Sequence, residues 1–132
     1  MVKQVIVIRK DLKMRKGKMI AQGAHASMKV ILDEMHQSQN YADFKELTIE
    51  VVNDSPLDEW LCGIFTKVVV GCNSEEELLA LQRKAAEGCL RNALIQDAGK
   101  TEFHGEPTYT ALAIGPEEAS VIDEITGDLK LL

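Results

Sequence analysis

Residues 5–26 read VIVIRKDLKMRKGKMIAQGAHA, and their reading decides the fold. Val5–Arg9 is a short β-branched run, the pattern of a buried strand. Asp11–Gly17 is a polar loop, and the Ala- and Met-rich residues after it predict a helix from about 17 to 37. A strand that feeds a helix needs a crossover before its next parallel neighbour, so this stretch opens an α/β arrangement.

The rest of the chain extends the same order. Lys67–Val70 is a second β-branched strand. Ser74 with Glu77 three residues later forms a capping box, and Leu78, Leu81 and Ala85 line one face of the helix that follows. Gly88 is placed to end it. Asn92–Gln96 predicts a third strand, Asp97-Ala98-Gly99 a turn, and Thr108–Ile114 a fourth strand. Gly115-Pro116-Glu117-Glu118 predicts the start of a last helix, because proline fits its first position and acids its first turn. That helix ends near Gly127, and Leu129–Leu132 adds a short strand. Between them, Asn40–Gly63 reads as irregular, with Pro56, Trp60 and a short strand at Thr48–Val52. The expected architecture is a three-layer α/β/α domain over residues 1–132. Its central sheet is mixed, mostly parallel and four- to five-stranded, and an atypical connecting segment spans about 38–63.

Hydrophobic residues make up 45% and charged residues 27%, the balance of an ordinary globule rather than a disordered or membrane chain. No apolar run approaches the roughly 20 residues a membrane helix needs. The first residues are too short an apolar stretch for a secretory signal, so a cytoplasmic protein is expected. Cys62, Cys72 and Cys89 form no CxxC pair and no cluster with the histidines, which leads us to expect reduced, mostly packed thiols and no metal site. The net charge of −6 conceals an asymmetry. Lys3, Arg9, Lys10, Lys13, Arg15, Lys16 and Lys18 face only Asp11 within residues 1–18, so an acidic body carries one basic end. Such an end either holds phosphates locally or is a solvated face.

At 100° per residue, Lys18, Gln22, His25 and Lys29 fall in one stripe of the first helix, while Met19, Ile20, Ala21, Gly23, Ala24, Ala26, Met28 and Ile31 occupy most of the remaining circumference. This reads as a helix buried over much of its surface with one polar seam. Lys16 and Lys18 lie at the positive end of the helix dipole, where cations are disfavoured. With Gly17 they read either as an anion site or as tolerated surface lysines. Asp97 falls at the end of a strand, where α/β sheets commonly hold ligands, and is otherwise a turn aspartate. Thr108 and Thr110 share one strand face and Thr101 lies in the preceding loop. His25 reads as a structural or a catalytic histidine. Lysine, aspartate and hydroxyls together suit ester hydrolysis: a carboxylate orients or deprotonates water, and cations and hydroxyls stabilise an oxyanion. No nucleophile elbow, phosphate-binding loop or HExxH motif occurs.

Taken together, Val5–Met14, Lys16–Ala26, Lys67–Val70, Leu94–Glu102, Thr110–Pro116 and Ile122–Leu131 resemble the type 2 peptidyl-tRNA hydrolases, in order and over all of the chain except about 38–63. The resemblance implies a mixed sheet with helices on both faces, usually in a homodimer. It implies hydrolysis of the ester joining a peptide to the 3′ ribose of tRNA, with no metal or organic cofactor. The family's functional positions match Lys18, Gln22, His25, Asp97, Thr101 and Thr110, and demote Thr108. On this resemblance Asp97 positions or activates water, and Lys18 meets Asp97 and negative charge. Thr101 and Thr110 donate to the carbonyl, Gln22 and His25 orient, and Lys13, Arg15, Lys16 and Gly17 hold the tRNA backbone. Arg15 stands where the family usually has glycine. Residues 40–63 are longer than the usual connection, and 103–109 also depart from the common loop. Three rival readings are a non-catalytic tRNA- or RNA-binding module of the same fold, an interaction protein with Trp60 and Ile64 as anchors on 38–63, and a related esterase acting on a different aminoacyl- or peptidyl-tRNA bond.

Overall fold

β1 (Val2–Arg9) is an inner strand of a four-stranded sheet ordered β4-β1-β6-β5 in the computed structural model, which describes residues 1–132. Its neighbours are β4 (Lys67–Cys72), which runs parallel to it, and β6 (Thr108–Glu118), which runs antiparallel; β5 (Asn92–Asp97) pairs antiparallel with β6. The sheet is mixed, but one pairing of three is parallel rather than most of them. The reason is local: the loop from β5 to β6 contains no helix, so the chain returns antiparallel, and β6 then inserts beside β1.

Period-two alternation along these strands builds a core on each face. Val5, Val7, Leu112 and Ile114 pack with Leu78, Leu81 and Ala85 of α3 (Glu75–Glu87) and Ile122 of α4 (Ala119–Thr126). Ile6, Ile8, Ala93, Ile95, Ala111 and Ala113 pack with Met14 and with Ala26 and Val30 of α1 (Lys16–Leu32). These two layers on one sheet give the α/β/α arrangement. Burial of each large side chain in them contributes about 1.5–3 kcal/mol. Ser74 caps α3 as expected, its Oγ accepting from Glu77 N–H at 3.0 Å; Glu77 reaches back one residue beyond the cap, to the Asn73 N–H, also at 3.0 Å. Gly88 ends α3, though the left-handed residue is Cys89 (φ 58°).

Further expectations change. The first helix stops at Leu32 rather than near 37, because His36–Asn40 (β2) pairs with Lys45–Thr48 (β3) in an antiparallel hairpin. Polar residues 36–40 offer no helical apolar stripe, and the hairpin satisfies their backbone instead. The segment 40–63 is therefore structured: beyond the hairpin, Ser55 caps α2 (Pro56–Cys62), and Leu57 and Trp60 of that helix are buried. Gly115–Glu118 does not open a helix. Val2 and Lys3 pair with Glu118 and Glu117, so the ladder carries β6 through Pro116 and α4 starts at Ala119. Finally, Leu129–Leu132 makes only a single bridge, Leu131 to Val70, rather than a strand.

α1 is not buried over most of its circumference. It packs over β6, β5 and β1 but leaves the β4 edge uncovered, so Ile20 is 73% and Met28 55% exposed. An apolar groove of about 850 Å³ lies there, lined by Ile6, Ile20, Met28, Phe65, Val69 and Leu132, with Lys16 and Lys67 among the polar lining residues.

Candidate active site

The site begins with a break in the β-ladder. Ile95 pairs with Ala111 but Gln96 with Tyr109, so Thr110 is the extra residue of a β-bulge. Regular alternation would set Thr110 on the same face as Leu112 and Ile114, against α3 and α4. The bulge instead turns it to the face of Ala111 and α1, where its fully buried hydroxyl donates to Gln22 Oε1. β5 stays regular, so Asp97 follows Ala93 and Ile95 onto that same face.

Lys18 and Gln22, one turn apart on α1, then meet Asp97. Lys18 Nζ donates to Asp97 Oδ1 at 2.8 Å and to Thr101 Oγ1 at 2.6 Å. Gln22 Nε2 donates to the same carboxylate oxygen at 3.3 Å, and the Gly99 N–H donates to Asp97 Oδ2 at 2.9 Å. The side chains of Lys18 and Asp97 are 12% and 14% exposed, so the ion pair is largely withdrawn from water yet open at one side. The Phe103 ring lies 5.5 Å from Lys18 Nζ and closes another side.

The loop after β5 is shaped for this contact. Gly99 has φ +83°, and a Cβ there would sit 2.3 Å from the Glu106 carbonyl oxygen. Only glycine fits such a position, and it lets its N–H turn back to Asp97. The Gly105 N–H donates to the Gly99 carbonyl at 2.8 Å and closes the loop that carries Thr101.

Asp97 is held below the ordinary aspartate range, chiefly by the hydrogen bond from Lys18; partial burial opposes this, and Gly99 and Gln22 add to it. The pair is therefore a carboxylate and an ammonium. Thr101 accepts from Lys18, which leaves its own proton free to donate outward. The chemical capacity of this cluster is a held cation, a free hydroxyl and an orienting anion around one opening.

Five of the six residues expected to act together do meet: Lys18, Gln22, Asp97, Thr101 and Thr110. His25 does not join them; it is exposed on α1 and makes no hydrogen bond. The next residue of the stripe, Lys29, pairs with Asp33 at 2.9 Å instead. Thr110 spends its proton on Gln22, so it supports the amide rather than facing a substrate carbonyl. Lys13, Arg15, Lys16 and Gly17 are exposed around the start of α1, whose first turn carries no acidic residue and no side-chain cap. Arg15 approaches Glu102 at 3.9 Å. Trp60 is buried and donates to the Thr66 carbonyl at 2.7 Å, so only Ile64 of the two suggested anchors is on the surface. Cys72 is buried, which pushes its thiol up to about 11, whereas Cys62 and Cys89 are exposed rather than packed. No group of three or more His, Cys, Asp or Glu side chains is arranged to hold a metal ion.

Sequence reading passed over Arg9. Its guanidinium is buried, binds Asp11 through two bonds of 3.1 and 2.6 Å, and donates to the Tyr109 carbonyl at 3.0 Å. The available signal was an arginine ending a buried β-branched run with an aspartate two residues on.

Comparison with known proteins bears on this geometry. The model of the family described as peptidyl-tRNA hydrolase PTH2 matches residues 2–132. A peptidyl-tRNA hydrolase of Methanocaldococcus jannaschii is 46% identical, over 98% of this chain and 99% of that protein. One of Saccharolobus islandicus is 44% identical over the full length of both. One of Methanopyrus kandleri is 43% identical, over 100% of this chain and 99% of the other. On the family match and these full-length relatives, the chain belongs to the peptidyl-tRNA hydrolase PTH2 family.

Proposed function

We propose that this protein hydrolyses the ester between a peptide and tRNA, releasing both, with its reaction centre at Lys18, Asp97 and Thr101. The observation that carries the proposal is the Lys18 ammonium held at 2.8 Å by Asp97 and at 2.6 Å by Thr101, beside an opening to solvent. A module that only bound RNA would need the basic end but no such pair.

In this reading water attacks the ester carbonyl carbon, and the carbonyl oxygen gathers negative charge. Lys18 and the free hydroxyl proton of Thr101 stabilise that oxyanion. The bond to the 3′ ribose oxygen then breaks; the oxygen leaves with one proton of the attacking water as the tRNA hydroxyl, and the peptide leaves as a carboxylate, the other proton passing to solvent. Asp97 is a weak base, because three hydrogen bonds favour its charged form, and an effective base works near the ambient pH. Its role is accordingly to hold Lys18 and orient water. Gln22 and Thr110 hold Asp97 in turn, and His25, exposed one turn along, contacts substrate outside the cluster. Lys13, Arg15, Lys16 and the Gly17 backbone contact tRNA phosphates at the positive end of α1.

The protein works in the cytoplasm, where its substrate forms, and as a homodimer. The uncovered groove beside α1 supports the dimer, since an exposed apolar surface of this kind is unusual on a monomer. Light scattering on the purified protein tests that part: a monomer at micromolar concentration contradicts it. Incubation with N-acetylaminoacyl-tRNA and a chelator tests the activity. Free tRNA and N-acetyl amino acid are the expected products, and intact substrate left beside folded protein contradicts the proposal.

A further inference from the structure

The bulge that aims Thr110 is gripped from both faces of the sheet. Pairing of β1 with β6 ends at Ile8 and Ala111, and Arg9 pairs onward with Cys72 of β4. Arg9 reaches past the last of these pairs with its side chain: Nη1 donates to the Tyr109 carbonyl at 3.0 Å. By alternation Arg9 belongs to the face of Val5 and Val7, where Tyr109 also packs, whereas Gln22 takes the Thr110 hydroxyl from the opposite face. Asp11 fixes the guanidinium through Nε at 3.1 Å and Nη2 at 2.6 Å, so its fork has one orientation and Nη1 is directed to Tyr109. A buried cation is costly to keep for stability alone.

We infer that Arg9, locked by Asp11, is a positioning residue for hydrolysis. It holds the Tyr109–Thr110 bulge so that Thr110 fixes the Gln22 amide, and that amide directs its N–H₂ to Asp97. This rests on the reading of the Lys18–Asp97 site as hydrolytic. Arg9 touches no reacting atom; its effect passes through Thr110.

Arg9→Lys keeps the charge but cannot grip Asp11 with a fork and reach Tyr109 as well. On N-acetylaminoacyl-tRNA it is expected to lower kcat on the order of tenfold, with KM within about twofold and the protein folded. Asp11→Asn, at the more exposed end of the pair, is expected to lower kcat by a smaller factor and guards against a variant that fails to fold. The double variant Arg9→Lys with Thr110→Val is expected to be no slower than Thr110→Val alone, because both cut one chain of contacts. Unchanged kcat in both single variants, multiplying losses in the double variant, or a raised KM with altered salt dependence would each overturn the inference; the last would make Arg9 a direct tRNA contact. A titration of the Asp97 carboxyl by carbon-13 NMR is independent of turnover. Its pKa is expected to rise in Arg9→Lys, and an unmoved value counts against the link through Gln22. Absence of turnover in the wild type, by contrast, strikes the functional reading and leaves the titration to judge Arg9.

Discussion

The Thr110 hydroxyl donates to the side-chain carbonyl of Gln22, and that bond decides which end of the Gln22 amide faces Asp97. With Oε1 engaged by Thr110, only the N–H₂ end is left for the carboxylate. Thr110→Val keeps the shape and removes the donor. It leaves a buried carbonyl unpaired, which costs about 1–3 kcal/mol. Thermal unfolding is expected to shift down accordingly and kcat to fall, while Thr110→Ser restores both. Equal stability in the valine and wild-type proteins would show that the bond is not made.

Lys18 is the hinge of the cluster, since it is shared by Asp97 and Thr101. Lys18→Met removes the cation but keeps the stem. The expected loss in kcat is on the order of 10²–10³, the scale of removing one donor to a developing oxyanion. Binding of uncharged-end tRNA, read by filter retention, is expected to change far less. A variant that binds tRNA poorly yet turns over normally at saturation would assign Lys18 to binding.

The pH dependence follows from Asp97. Its folded pKa lies below the ordinary 3.8, so its charged form favours folding; that contribution is full above the ordinary value and is lost as the pH falls through the lowered one. The acid limb of kcat/KM attributable to this group is therefore expected below the ordinary aspartate range. An acid limb centred near 6 would assign the essential ionisation to another group.

The hairpin of β2 and β3 is exposed throughout, and Tyr41 stacks on Phe44 near its tip at 4.4 Å. Replacing residues 36–48 with a short Gly/Ser linker is expected to leave hydrolysis intact and the melting temperature within a few degrees, because a two-stranded hairpin adds little stability by itself. A collapse of turnover on the shortened chain would bring the hairpin into the substrate site.

Much of this site was legible in the sequence. Lys18 and Gln22 share a helix stripe by spacing alone, Asp97 ends a strand, and Ser74 with Glu77 marked the start of α3. What escaped depends on contacts remote in sequence. The bulge at Thr110 is set by the register between β5 and β6, which no local pattern encodes. Pro116 reads as a helix start by propensity, yet pairing with Val2 and Lys3 overrides it. Residues 36–48 carry no strong periodicity of either kind, so neither the end of α1 nor the hairpin could be read from them. The stripe also carried His25 too far: it lies on the correct face but beyond the reach of the Asp97 loop.

The most direct measurement is single-turnover release of tRNA from N-acetylaminoacyl-tRNA by wild type and Asp97→Asn, with a chelator present and folding checked by circular dichroism. The substitution keeps the size of the side chain and removes the charge that holds Lys18. The expected result is rapid release by the wild type and a rate lower by on the order of 10²-fold or more in the variant. Equal rates in the two folded proteins would contradict a hydrolytic centre built on Lys18 and Asp97.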